Sequence, residues 1–268
     1  MNMNKQSDNK WRVGSVGKAL AILDSFDIHH SEQSLAQISA KIGVPKSTTY
    51  NLVKTLLEEG FLRKSSVSQN YLLGLKPFEM GYCVRNSLPI ISYAIPIMED
   101  ITRITGEITY LSTVNRDRLI ILEGIYPDRR FAAYSTAGKT LPLHCCSAGK
   151  VILSTLPDSL TQAITERGME QSTPNTICTQ EALAEELSKI RQNGYAVDNE
   201  EETLGVRCAS VAVRGSGRRA VGAISISGSV RSVTDEKIIQ TLPHLEKAAQ
   251  FLSRMASAFP AVYFDETY

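Results

Sequence analysis

The sequence is most informative at first for what it lacks. Its five cysteines are odd in number and include no Cys-x-x-Cys pair, so a disulfide framework is not expected. No apolar run approaches the ~18 residues that a membrane-spanning helix needs. The polar start "MNMNKQSDNK" has no apolar signal segment. Together these predict a cytoplasmic protein. There is no Gly-x-Ser-x-Gly elbow, no internal repeat and no low-complexity stretch. Neither sign of charge dominates: 29 Lys and Arg stand against 28 Asp and Glu, for a net charge of +1.

That near-neutrality hides a division. Residues 1–76 carry 10 basic and 6 acidic side chains, a net +4, and the rest of the chain carries 19 and 22, a net −3. A basic first module on an acidic body suggests a polyanion as partner of the first part. The 268 residues leave room for two domains.

Within the basic module, "SVGKALAILDSF" places Val16, Ala19, Leu20, Ile22, Leu23 and Phe26 at helical spacing, with Ser15 available as N-cap. "SEQSLAQISAKIG" follows with Leu35, Ile38 and Ile42 as an inner stripe, Ser34 as cap and Gly43 just past the end. A short turn leads to a helix from about Pro45 to Gly60. Thr49, Leu52, Val53, Leu56 and Leu57 share one side of it. Ser47, Asn51 and Lys54 lie roughly opposite, flanked by Thr48, Tyr50 and Thr55. Two short helices joined by a tight glycine turn make a helix-turn-helix, whose second helix enters the major groove. Hydroxyls and amides there hydrogen-bond base edges and phosphates, and Lys neutralises phosphate. "FLRKSSVSQNYLLG" adds two short strands, at Phe61–Leu62 and Tyr71–Leu73, around a polar tip. That hairpin is a wing, with Arg63 and Lys64 placed to meet a backbone. Base edges are therefore assigned to Ser47, Thr48, Tyr50 and Asn51, and phosphates to Lys46, Lys54, Arg63 and Lys64. A polar face on an ordinary helix is more often merely solvated; the turn, the basic charge and the wing weigh against that here.

These segments resemble the N-terminal half of the IclR family of bacterial transcription regulators, through "SVGKALAILDSF", "SLAQISAKIGVPKSTTYNLVKTLLEEGFL" and "YLLGLKPFEMG". The second half is similar too, in "LPLHCCSAGKVILS", "IRQNGYAVDNEEETLGVRCASVAV" and "AISISG". The likeness runs from about Val13 to about Ala256. It implies an α+β chain: a winged helix-turn-helix, a linker helix and a GAF-like α/β effector domain, assembled as a homodimer or a dimer of dimers. The boundaries drawn are a flexible arm over 1–12, the DNA-binding domain over 13–76, the linker helix over 77–92 and the effector domain over 93–268. Function is then expected as sequence-specific binding to a double-stranded operator, with repression modulated by a small organic or sugar acid.

The body reads consistently with that plan. Residues 77–92 form a bridging helix punctuated by Pro77 and Pro89, and "IPIMEDITRIT" a second helix ended by Gly106. "ITYLSTV", "RLIILEGI" and "RFAAYS" are strand-like. Helices follow at about 147–156, 158–167 and 180–193. "YAVDNE", "CASVAV" and "RAVGAISIS" return to strand, and a helix runs from about Thr234 to Ala256. Strands and helices in this order indicate layers around one antiparallel sheet. For a ligand site, "LHCCSAGK" turns into a helix near Ser147, leaving free backbone N–H groups. Ser225 and Ser227 alternate to one face of their strand. The resemblance implies Leu141, Ser147, Ala148, Asp198, Cys208, Ser225 and Ser227 as effector contacts, with Ala133 on the wall.

Other signals are weaker. Ala133, Gly138, Lys139 and Thr140 match a relaxed Walker A, but Leu141-Pro142 follows where a helix must begin, so no nucleotide is expected. His144, Cys145 and Cys146 raise zinc or a nucleophilic thiol, yet three consecutive residues do not readily face one tetrahedral ion. No cofactor and no metal is expected. The competing class is a hydrolase using a Cys or Ser of "HCCSAGK" with His144. "DNEEE" at 198–202 reads as a solvated acidic turn apart from Asp198, and Trp11 sits alone in a polar arm.

Overall fold

The computed structural model describes residues 13–128, 136–166, 168–215 and 219–258. The arm over 1–12 with Trp11, the strand expected in "RFAAYS" and Ala133 lie outside them. The chain divides into two compact units, Met1–Ser87 and Leu88–Tyr268.

The first unit begins with α1 (Gly14–Asp24), capped at Val13 without a side-chain hydrogen bond. Ser15 falls inside the helix and does not cap it. Only part of the expected apolar stripe turns inward: Ile22 and Phe26 are buried, whereas Val16 and Leu20 are exposed. β1 (Glu32–Gln33) precedes α2 (Leu35–Ile42). Ser34 closes a capping box with Gln37, satisfying two backbone donors that a helix start otherwise leaves open. Gly43, at φ 66, takes the left-handed conformation that a side chain resists, and this turns the chain into α3 (Lys46–Glu58). β2 (Leu62–Lys64) and β3 (Tyr71–Leu73) form the wing. β1 pairs with β3 as a third, antiparallel strand that two polar residues gave no means to foresee. Ile22, Ile38, Val53, Leu56 and Leu62 close the core, with Thr49 fully buried among them.

α4 (Lys76–Asn86) ends this unit. The bridging helix expected over 77–92 therefore stops at Asn86, and α5 (Pro89–Thr105) starts earlier than the second helix read from Ile95. Pro89 supplies the reason: it bars the preceding residue from helical backbone, and Leu88 takes φ −106 and ψ 83. Pro89 then serves as a first helical residue.

The second unit is built on a six-stranded antiparallel sheet in the order β6-β5-β4-β9-β8-β7. Its strands are β4 (Ile108–Asn115), β5 (Arg118–Ile125), β6 (Thr140–Pro142), β7 (Tyr195–Asn199), β8 (Val206–Arg214) and β9 (Ala220–Ser229). Its remaining helices are α6 (Ser147–Leu153), α7 (Asp158–Thr165), α8 (Gln180–Asn193) and α9 (Asp235–Ala258). Alternation along each strand sends side chains to opposite faces. Leu111, Ala209, Val211, Ile224 and Ile226 meet α5 and α9 on one face. Ala196, Ala212 and Ala223 meet α6 and α8 on the other, and their small side chains let those helices approach closely. The second face carries the polar residues singled out above.

Candidate functional site

In the first unit, α3 is sorted cleanly by its periodicity. Thr49, Val53 and Leu56 are buried, and Thr49 Oγ1 donates to the Pro45 and Val44 carbonyls, fixing the helix start to the turn before it. Lys46, Ser47, Thr48, Tyr50, Asn51 and Lys54 are all exposed on the remaining surface. Tyr50 keeps 52% of its surface in solvent, a large exposure for an aromatic side chain. Lys54 Nζ stands 3.9 Å from Glu58 Oε1, a loose surface pair. Arg63 and Lys64 are exposed on β2 of the wing. A rigid helix thus presents hydroxyls, an amide, a phenol and cations on one surface, beside two more cations.

In the second unit, register explains which residues come together. Asp198 on β7 is paired with Cys208 on β8, and Cys208 with Ser227 on β9. Two residues along, Ser210 pairs with Ser225, and Ser225 with Tyr110 on β4. Directly paired residues share a face, so these two rows lie side by side. Cys208 Sγ donates to Ser227 Oγ at 3.1 Å. Ser147 Oγ lies 2.6 Å from Ser210 Oγ, linking the start of α6 to the sheet. Gly149 lets α6 pack against the loop that leads into it, since a Cβ there would stand 2.2 Å from the Leu143 carbonyl oxygen. Ala148 is buried beside Ser147.

The structure thus gathers Ser147, Ala148, Asp198, Cys208, Ser225 and Ser227 on and above one face. Leu141 lies on β6, at the opposite edge of the sheet from β7, and packs against the cluster that holds Ala148. Sequence reasoning passed over Tyr110, Ser210, Lys150 and Glu201. Tyr110 meets Tyr126 edge to face at 6.3 Å, and Tyr126 Oη lies 3.0 Å from Thr136 Oγ1. Alternation in "ITYLSTV" placed Tyr110 with the polar face only once the pairing of β4 with β9 was known. Glu201 corrects the solvated reading of "DNEEE". It is buried, and its Oε1 lies 2.5 Å from Nζ of Lys150, which is fully enclosed on α6.

Burial governs the ionisation of this face. It pushes Asp198 up to about 7, a rise that the neighbouring Glu201 assists and that the Glu201 N–H and Lys150 oppose. Burial pushes the Cys145 and Cys208 thiols up to about 12 and holds Cys146 well above its ordinary value. Neutral thiols are poor nucleophiles. His144 is engaged elsewhere, its Nε2 lying 3.0 Å from the Glu170 carbonyl. These observations count against the hydrolase. Among the described residues no group of three or more His, Cys, Asp and Glu is arranged to hold a metal.

A winged helix with an exposed polar face, joined to an α/β unit with an enclosed polar face, is the architecture of a DNA-binding regulator. The comparisons agree. Residues 15–66 match the IclR helix-turn-helix domain, and residues 83–254 match the bacterial transcriptional regulator IclR C-terminal domain. The chain is 34% identical over 251 residues to the HTH-type transcriptional regulator XynR of Escherichia coli, covering 93% of this chain and 99% of that one. It is 26% identical over 242 residues to the transcriptional repressor IclR of the same organism, covering 89% and 88%. Among solved structures, the Thermotoga maritima IclR superposes with a TM-score of 0.66 at 30% identity, over 90% of this chain and 98% of that one. An IclR homolog from Microbacterium hydrocarbonoxydans, solved with 4-hydroxybenzoate, shares the fold with a TM-score of 0.72 at 19% identity, over 90% and 98%. The chain belongs to the IclR family of transcriptional regulators. It is a DNA-binding, ligand-responsive regulator, and no helix among its described residues is long and apolar enough to cross a membrane.

Proposed function

We propose that the chain is a repressor that binds a palindromic or pseudo-palindromic operator as a homodimer or a dimer of dimers. A small carboxylate on the α6 face of the sheet controls its hold on DNA. The carrying observation is the surface of α3, where Ser47, Thr48, Tyr50 and Asn51 stand exposed on a helix whose other side is locked into the core. Base edges fall to these four, and phosphates to Lys46, Lys54, Arg63 and Lys64. Relatives named as repressors, the Escherichia coli transcriptional repressor IclR among them, support the sign of the response. The homolog solved with 4-hydroxybenzoate supports a carboxylate as effector. Contacts to it fall to Ser147, Ala148, Asp198, Cys208, Ser225 and Ser227, with Leu141 on the β6 side. Effector binding shifts the spacing of the two winged helices in the dimer, biasing an existing equilibrium away from the operator match.

Self-association has its own support. Leu75, Phe78 and Tyr82 follow one another at helical spacing with 75%, 79% and 67% of their surfaces exposed. A second copy presenting the same stripe covers it.

Ser225→Ala tests the division of labour. Operator affinity is expected to stay within about twofold of wild type while the release caused by the cognate acid is blunted at least tenfold. Equal loss of both identifies Ser225 as a structural residue and removes it from the pocket.

A further inference from the structure

The polar face of the second unit has more buried negative groups than positive ones. Asp198 is 3% exposed, and among the described residues its carboxyl accepts one hydrogen bond, from the Glu201 N–H at 2.7 Å. The groups facing it are Glu201 and Glu202 from the turn that follows β7, Lys150 from α6, Cys208 from β8, and Cys145 and Cys146 from the loop before α6. Among the described residues Lys150 is the cation acting directly on Asp198, and it is already engaged. Its Nζ lies 2.5 Å from Glu201 Oε1 and 3.3 Å from Glu186 Oε1. Lys139, which acts on Cys208, pairs with Glu202 at 3.1 Å.

One ammonium therefore serves Glu186, Glu201 and Asp198. Lys189 adds a loose, exposed pair to Glu186 at 4.0 Å, so with all three carboxyls ionised they still outnumber their cations, by one charge, before any ligand arrives. Donors are short as well, because Glu201 Oε2 is buried without a hydrogen-bond partner among the described residues. A further anionic oxygen placed against Asp198 would meet a like charge in a poorly solvated site, where such repulsion is least screened. A proton on Asp198 removes the conflict and turns the carboxyl into a donor for the incoming oxygen.

Granting that this face is the effector pocket, we propose that Asp198 is its specificity-determining residue, and that the effector is taken up as a carboxylate anion together with one proton held on Asp198. The proton comes from solvent and returns there on release. An anion is then favoured over a neutral polyol, whose hydroxyl oxygen is the weaker acceptor for that proton. The effector response also strengthens as pH falls through neutrality. Asp198, with its carboxyl pushed up to about 7, crosses between the two forms in that range.

The test is a carboxyl-carbon NMR titration of the full chain labelled with 13C-aspartate. Acetate serves as the minimal carboxylate probe, at tens of millimolar. Asp198→Asn, which keeps an oxygen to accept the Glu201 N–H, identifies the Asp198 signal by its loss. Glu201→Gln is the second variant. It removes a facing negative charge and is expected to lower the Asp198 midpoint, which identifies the signal independently if the first variant does not fold. The expected result is a midpoint near neutral pH that acetate moves upward. A midpoint in the ordinary carboxylate range, below about pH 5, overturns the proposal; if acetate still perturbs that signal, the pocket assignment stands without it. A neutral midpoint that acetate leaves untouched means that the face is not the effector pocket, and the proposal falls with that assignment.

Discussion

At Lys54 the ammonium stands in solvent with Glu58 one helical turn away, and little energy ties the two together. Its assigned role is to displace a counterion from a phosphate. Lys54→Ala is therefore expected to weaken binding to every DNA sequence alike and to reduce the slope of log affinity against log salt by about one unit. An unchanged slope in titrations across salt concentrations would take Lys54 off the phosphate. Lys150 has the same side chain in the opposite setting, enclosed and held by Glu201 and Glu186. Asp198 nearby carries a consequence for stability. Its folded carboxyl keeps a proton up to about pH 7, while the unfolded one loses it near 3.8. The folded chain thus binds more protons between those values, and the group's stabilising contribution, complete below pH 3.8, is lost as pH rises through 7. Asp198→Asn is expected to remove that loss, making the chain more stable than wild type at pH 8 by on the order of 1–3 kcal/mol. Thermal denaturation at pH 5 and pH 8 measures it. Identical pH slopes for the two proteins would show that Asp198 is ionised throughout.

At the scale of elements, α2 and α3 were legible because each face follows the helical period and each end is marked by its own residue type. Ser34 capped and Gly43 turned where the sequence placed them. Ser34→Ala removes the capping box and is expected to cost about 1 kcal/mol in chemical denaturation of the first unit. No measurable change would mean that solvent serves those N–H groups equally well. α1 was half legible: the spacing of Val16 and Leu20 is helical, but periodicity cannot say what covers them, and within this chain they stay exposed. The helix break at Ser87 was missed because Pro89 was read as punctuation within a bridge over 77–92, when it opens α5. On the sheet, Ser225 and Ser227 could be put on one face from alternation alone. Their meeting with Asp198, Cys208 and Ser210 depends on register between strands distant in sequence, which no local pattern specifies. Glu201 was misjudged for the same reason. An acidic run reads as solvated until a buried lysine from α6 is found opposite it.

For the whole molecule, two units divide the work: one presents a reading helix, the other encloses a polar face between α6 and the sheet. The proposed coupling between them runs through an assembly in which two reading helices have a defined spacing, and the exposed stripe of α4 is the surface proposed for it. Phe78→Glu is expected to lower the dimer population by at least tenfold in sedimentation velocity while leaving the folded content of each unit intact. An unaltered sedimentation profile would place the dimer contact elsewhere. The central claim is that α3 reads sequence through its exposed polar face. Fluorescence anisotropy tests it most directly, with wild type and Asn51→Ala titrated on DNA from upstream of the chain's own gene, at near-physiological salt and against excess unrelated DNA. The account predicts tight wild-type binding that survives the competitor. It also predicts that Asn51→Ala loses roughly 1–3 kcal/mol of discrimination at one base pair while keeping its affinity for unrelated DNA. Wild-type binding that survives the competitor, joined to an Asn51→Ala loss spread evenly over all sequences, would contradict it.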